Sequence, residues 1–200
     1  MSKEKILYTG HLLIIMSPSG AGKGTLVKYI SSVFEELVFP ISCTTRDKRP
    51  GETNGVEYYF LTKEEFKNRI EQGDFLEWAE YGGNLYGSLI SELIKPLKSS
   101  QLIVKEIEWQ GVQQLKDIIP PENMTVTYVD GGDWVDLVDR IKARAPISEA
   151  ELKLREERYQ REILAKPQAD IIINNQNGNL AKAKDIFHKL VADILKSIKT

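Results

Sequence analysis

Ser17-Pro18-Ser19-Gly20-Ala21-Gly22-Lys23-Gly24-Thr25 joins small residues, glycines and one lysine in the combination that phosphate chemistry needs. A phosphate is held by backbone N–H groups packed around it, and glycine lets the backbone come that close. The apolar run His11 to Met16 leads into this loop. Gly22 to Leu37 follows it, with Leu26, Ile30, Val33 and Leu37 on one helical face. Strand, loop and helix in that order predict a nucleoside triphosphate site. The helix N-terminus offers partial positive charge there, and Lys23 reaches the outer phosphates. Ser17 stands where the strict motif has glycine, and Gly24 where it has a hydroxyl. A magnesium ion is therefore expected mainly on nucleotide oxygens and water. Thr25, and Glu106 through water, are its candidate protein contacts.

A second phosphate site is expected at Arg46 and Arg49, on a loop with Tyr58 soon after. Two guanidinium forks and a phenol suit a phosphate dianion, although a solvated basic turn has the same composition. Glu106 and Glu108 lie two apart on an expected strand and so share a face. Like charges there call for a ligand or cation, unless the strand end is simply solvated. Arg140, Arg144 and Arg155 lie in a charged stretch of helical character. Arginines delivered to a transferring phosphoryl group stabilise its equatorial charge. Glu151 and Arg155 are also four apart and spaced to pair on a helix.

The elements that position these residues alternate. Phe39 to Cys43, Leu102 to Glu108, Met124 to Val129 and Asp170 to Asn174 are strand candidates, with helices over Trp109 to Ile118 and Asn179 to Ile198. Such alternation implies a mostly parallel sheet covered on both faces. Thr44 to Gly87 interrupts it as an inserted, small antiparallel subdomain, with strands at Val56 to Leu61 and Phe75 to Tyr81. Thr62 to Glu65 forms a capping box between them. Asp136 to Ala165 interrupts it again as a polar helical arm, with a capping box at Ser148 to Glu151.

The chain of 200 residues, 42% hydrophobic and 28% charged, suits one sizeable α/β domain. Its net charge of −2 gives no basic excess for nucleic acid or an anionic membrane. Cys43 is the only cysteine, which excludes an intramolecular disulfide and a zinc cluster. With no long apolar leader, a cytoplasmic setting is expected.

Ser42-Cys43-Thr44-Thr45-Arg46-Asp47-Lys48-Arg49-Pro50-Gly51-Glu52-Thr53-Asn54-Gly55-Val56-Glu57-Tyr58-Tyr59-Phe60 resembles the guanylate kinase signature. Phe75 to Ala79, Gly83 to Ser88 and Trp109-Gln110-Gly111 match that family in order and spacing. The resemblance implies a P-loop NTPase-type core, a single domain whose core subregions are 1–41, 99–135 and 166–200. It adds a small mixed α/β GMP-binding insert at 42–98 and a helical lid at 136–165. It implies transfer of the γ-phosphate of ATP to GMP, with Mg²⁺ accompanying ATP and dGMP as an alternative acceptor. Under it, Ser17 to Thr25, Arg140 and Asn174 hold ATP. Arg46, Arg49, Tyr58 and Tyr86 hold the GMP phosphate, Ser42, Glu77, Ser88 and Glu108 read the guanine, and Gly87 and Glu106 also belong to the GMP site. Lys23, Arg46, Arg144 and Arg155 carry catalysis. Where the family has Asp, this chain has Glu108. Ala143-Arg144-Ala145 replaces a Gly-Arg-Gly, and Asp130-Gly131-Gly132 departs from a proline-containing stretch. Two other readings share the loop: an interaction module without catalysis, and a sugar-phosphate kinase. Intact Lys23, Arg46, Arg144 and Arg155 argue against the first. Glu77, Tyr86 and Ser88 argue against the second.

Overall fold

The computed structural model describes residues 7–199. Four strands form one sheet in the order β6-β1-β7-β8: Leu102–Glu106, His11–Met16, Met124–Asp130 and Ile171–Asn174. β7 and β8 pair in parallel, as strands linked through helices must. A second sheet has the order β3-β2-β5-β4: Tyr58–Phe60, Ser42–Thr44, Asn84–Leu89 and Phe75–Tyr81. The helices are α1 Lys23–Val33, α2 Lys63–Glu71, α3 Ile90–Leu97, α4 Trp109–Lys116, α5 Trp134–Arg144, α6 Glu149–Glu162 and α7 Leu180–Ile198. The chain divides into two compact units. One takes the chain up to Leu12 together with Leu37–Met124; the other takes Leu13–Glu36 and everything from Thr125 onward.

The first unit contains the second sheet. β2 and β5 pair antiparallel, as do β4 and β5, whereas β2 and β3 run parallel. The expected antiparallel subdomain is thus a mixed sheet, because the long loop bearing Arg46 and Arg49 brings the chain back so that β3 runs parallel to β2. β4 contains a bulge between Phe75 and Glu77. It breaks the alternation of side chains, so that Leu76 and Glu77 are both buried. α2 starts as its sequence predicts. Thr62 Oγ1 accepts from the Glu65 N–H at 3.1 Å, and Glu65 Oε2 accepts from the Thr62 N–H at 2.7 Å. Phe66 on this helix is fully buried and stacks on Phe75 at 4.3 Å between ring centroids. Thr62→Ala is expected to cost about 1 kcal/mol, the usual value of a lost N-cap. For a chain of this size that lowers Tm by roughly 2–4 °C, measurable by calorimetry.

The second unit packs α1 against α7. Leu26 and Ile30 of α1 and Ala183, Phe187 and Val191 of α7 are fully buried. The Thr127 hydroxyl donates to the Ile14 carbonyl at 2.8 Å and so satisfies a buried polar group on β7. α6 is polar on most of its surface, and Tyr159 is its buried residue, against Trp134 at the start of α5. Its expected capping box is half present: Ser148 Oγ accepts from the Glu151 N–H at 3.2 Å.

Candidate active site

In the first unit, one rung of the mixed sheet gathers four of the expected residues. Ser42 faces Tyr58 on one side and Ser88 on the other, and Ser88 faces Glu77. Residues opposite each other across a sheet project from the same face, so Tyr58, Ser42, Ser88 and Glu77 share one surface. Tyr86 lies two residues before Ser88 and therefore also on that face. Gly87 between them is tight: an added Cβ would lie 2.9 Å from a Phe75 ring carbon and 3.0 Å from the Glu77 carbonyl.

Glu77 is 5% exposed, and the Ser88 hydroxyl donates to its Oε1 at 2.5 Å. Burial pushes this carboxyl up; the Ser88 hydrogen bond and the Lys105 charge push it back, and Glu108 raises it. A methyl group on Gly111 would overlap the Glu77 carboxylate. Glycine there lets the first turn of α4 approach, placing the positive end of the helix dipole near the carboxylate. Sequence reasoning quotes Gly111 only as part of a motif and misses this function.

Glu106 and Glu108 do not share a strand. β6 ends at the exposed Glu106, Ile107 is buried, and Glu108 is the residue preceding α4, half-buried. The helix begins because Trp109 to Lys116 has an apolar face on Val112 and Leu115. The two carboxylates therefore do not share a strand face, and Glu108 raises the Glu77 carboxyl.

Lys105 is the residue that sequence reasoning overlooks. It ends an aliphatic run in β6, is 4% exposed, and donates to the Pro40 carbonyl at 2.8 Å and to Ser42 Oγ at 2.7 Å. Burial lowers its pKa to about 8, opposed first by Glu77 and then by Glu92, Cys43 and Glu106. Both of its hydrogen bonds are donated to oxygens, as an ammonium requires.

On the phosphate side, Arg46 is held in place. Its Nη2 donates to both oxygens of Glu52, at 2.8 and 3.0 Å, and its Nη1 donates to the Asp47 carbonyl at 2.6 Å. The guanidinium carbon lies 5.4 Å from the Tyr58 ring centroid and 5.6 Å from that of Phe60. Tyr58 and Tyr86 meet edge to face at 6.0 Å. Glu52 also accepts from the Arg49 backbone N–H at 2.8 Å, which ties both arginine positions to one carboxylate. The Arg46 hydrogen bond, followed by that from Arg49, lowers the Glu52 pKa. The Arg49 side chain is exposed. Glu52 acts through hydrogen bonds within an irregular loop, so no periodicity announces it.

In the second unit, the phosphate loop opens α1. Gly20 and Gly22 have φ of 89° and 90°, in the left-handed region that favours glycine. Gly22 caps α1, and Lys23 is its first residue. Pro18 accepts from the Ala21 N–H at 3.2 Å. Ser17 Oγ is buried with no hydrogen-bond partner among the described residues. Gly24 and Thr25 are exposed. A cavity of about 380 Å³ includes Gly20, Gly22, Thr25, Arg140, Arg144 and Asn175 in its lining. Arg140 donates to the Asn175 carbonyl at 3.0 Å and to Asn177 Oδ1 at 2.8 Å.

Asn174 does not line this cavity. It ends β8, and its Oδ1 accepts from the Gln176 N–H and the Asn179 amide. Asn175 takes its place, buried, with Nδ2 donating to the Ala21 carbonyl at 2.7 Å. Arg155 does two things at once. It pairs with Glu151 at 2.6 Å, as four-residue spacing predicts, and its Nη1 donates to Ser19 Oγ of the phosphate loop at 3.0 Å. Gly131 in the atypical stretch admits the loop: an added Cβ would lie 2.6 Å from Ala21 Cα. Among the described residues no cluster of His, Cys, Asp or Glu could hold a metal by itself. Thr25, an expected magnesium contact, lines the cavity, and the other ligands of a divalent ion would have to come from nucleotide oxygens and water.

A guanylate kinase family model matches residues 9–191. The chain is 38% identical to a guanylate kinase of Thermotoga maritima, over 84% of this chain and 80% of that one. It is 40% identical to one of a Synechococcus species, over 84% and 91%, and 36% identical to one of Malacoplasma penetrans, over 94% and 95%. A crystal structure of guanylate kinase from Anaplasma phagocytophilum superposes with a TM-score of 0.71 over 96% of this chain and 90% of the other, at 24% identity, and so shares the fold. The glycine-rich loop and the Glu77 rung thus lie within a match that spans nearly the whole sequence, and the chain belongs to the guanylate kinase family.

Proposed function

We propose that the protein performs the reaction of its family, ATP plus GMP to ADP plus GDP, with the residues above divided between donor and acceptor. The observation that carries this reading is the rung Tyr58–Ser42–Ser88–Glu77. Guanine presents N1–H and an amine as donors and O6 as acceptor on one edge. A buried carboxylate suits the donors, and hydroxyls suit O6. Adenine lacks those donors and would leave Glu77 desolvated and unpaired.

On this assignment the GMP phosphate is held by Arg46, Arg49, Tyr58 and Tyr86. Lys23, Arg140, Arg144 and Arg155 serve the phosphates of ATP. The nucleophile is a phosphate oxygen that is already anionic, so the residues orient and stabilise charge rather than remove a proton. Mg²⁺, bound with ATP, would supply further charge at the β- and γ-oxygens. Among the described residues no helix is long and apolar enough to cross a membrane. A cytoplasmic setting is proposed with the buried, single Cys43 as support.

Arg46→Ala and Arg49→Ala are expected to raise the KM for GMP by about tenfold or more, since charge-assisted hydrogen bonds are worth about 1.5–3 kcal/mol. The KM for ATP should change far less. Steady-state kinetics with each substrate varied in turn checks this; equal effects on both would remove these residues from the acceptor site.

A further inference from the structure

A hydroxyl has one proton to donate and two lone pairs to accept with. Across the base-reading rung the two serine hydroxyls are used differently. Ser88 gives its proton to Glu77 Oε1. Ser42 instead accepts, from the ammonium of Lys105 at 2.7 Å, and its own proton is directed away from that ammonium. The Lys105 ammonium is fixed in turn by the Pro40 carbonyl at 2.8 Å and by burial inside β6, where its neighbours Leu102, Ile103 and Val104 are aliphatic. A buried ammonium that donates to a hydroxyl also polarises it and strengthens its outgoing hydrogen bond. Guanine O6 can only accept.

We propose that Lys105 is a positioning residue for base recognition: it sets Ser42 as the hydrogen-bond donor to guanine O6, while Ser88 is committed to Glu77. The inference rests on the acceptor-site reading above and deepens it. An apolar side chain at this point of the strand would fill the same space but would donate nothing to Ser42, and the direction of the serine proton would no longer be set.

The test compares GMP with 6-thio-GMP, in which sulfur, a weak acceptor, replaces O6 alone. The full chain is assayed as wild type, Ser42→Ala, Lys105→Met and the double variant. Lys105→Met is expected to raise the KM for GMP about tenfold, the scale of one lost hydrogen bond in a dry site, and to leave the KM for ATP unchanged. It should also abolish most of the preference for GMP over 6-thio-GMP. The double variant should be no worse than Ser42→Ala, because both changes remove one interaction. Lys105→Gln, which keeps an N–H donor, should recover part of the preference. A residue that merely supported the fold would weaken both acceptors equally. Retention of the wild-type preference in Lys105→Met, or full additivity in the double variant, overturns the inference. If Lys105→Met does not fold, Ser42→Ala decides: a wild-type preference in that variant overturns it. Failure of the underlying reading looks different, since Glu77→Gln would then leave the KM for GMP unchanged.

Discussion

Lys23→Met is expected to lower kcat by about a hundredfold or more while the protein remains folded. Lys23 is the first residue of α1, half-buried at the mouth of a loop whose glycines adopt left-handed backbone. Methionine has nearly the same helix propensity and stem, so α1 should persist. On the proposed assignment, what disappears is the point charge that serves the outer phosphates of the donor. An ammonium that follows charge on the transferring group acts more strongly in the transition state than in the ground state, and such donors are worth roughly 10²–10³ in rate. The loss should therefore fall on kcat, with the KM for GMP little altered. Circular dichroism and thermal unfolding confirm folding, and ADP release at saturating substrates gives kcat. Near-wild-type turnover in a folded Lys23→Met protein would remove this loop as the donor site.

Glu77→Gln is expected to reduce kcat/KM for GMP by roughly 10²–10³-fold, because one charge-assisted hydrogen bond is lost and the other is left with a neutral acceptor. The glutamine amide can accept one guanine donor at most, and its NH₂ opposes the other. The Ser88 hydroxyl keeps a partner, so the rung should remain folded. Activity on AMP, low in the wild type, should hardly change, and the ratio of the two acceptors should shrink accordingly. A pH signature accompanies this. Burial raises the Glu77 carboxyl above the usual carboxylate range, against the pull of Ser88 and Lys105. The charged form reads guanine, so kcat/KM for GMP should fall as pH drops through that raised value. The KM for ATP should show no such limb, and Glu77→Gln should lose it. Persistence of the acid limb in Glu77→Gln would assign it to another group.

Much of this was legible in residue order. β1 and β4 have the bounds that their apolar runs predict, and Thr62 to Glu65 caps α2 as its spacing requires. The second strand is shifted: Phe39 is 39% exposed, Val38 bridges Ile103, and β2 begins only at Ser42. β5 and α3 are harder to read. Gly83 to Ser88 contains glycines that weaken a strand pattern, yet its pairing with both β2 and β4 over-determines it. α3 is short and contains Pro96, and tertiary burial of Leu93 and Leu97 fixes it.

The site follows the same division. Residues within a continuous motif, such as Arg46, Ser88 and Lys23, announce themselves by type and spacing. Those that act through partners distant in sequence do not. Lys105 reaches Ser42 across 63 positions, and nothing in an aliphatic run signals that contact. Gly111 matters because Glu77 lies against it, which no local pattern encodes. Asn174 and Asn175 are adjacent and chemically alike; only the end of β8 decides which turns to the loop.

The central claim is that the buried Glu77 rung makes this chain select guanine. The direct measurement is a coupled ADP-release assay with ATP, Mg²⁺ and, in turn, GMP, AMP, CMP and UMP. A site built to pair guanine's donors rejects bases that lack them by about 10⁴ or more in kcat/KM. GMP should therefore exceed AMP on that scale. Comparable kcat/KM for GMP and AMP would contradict the account.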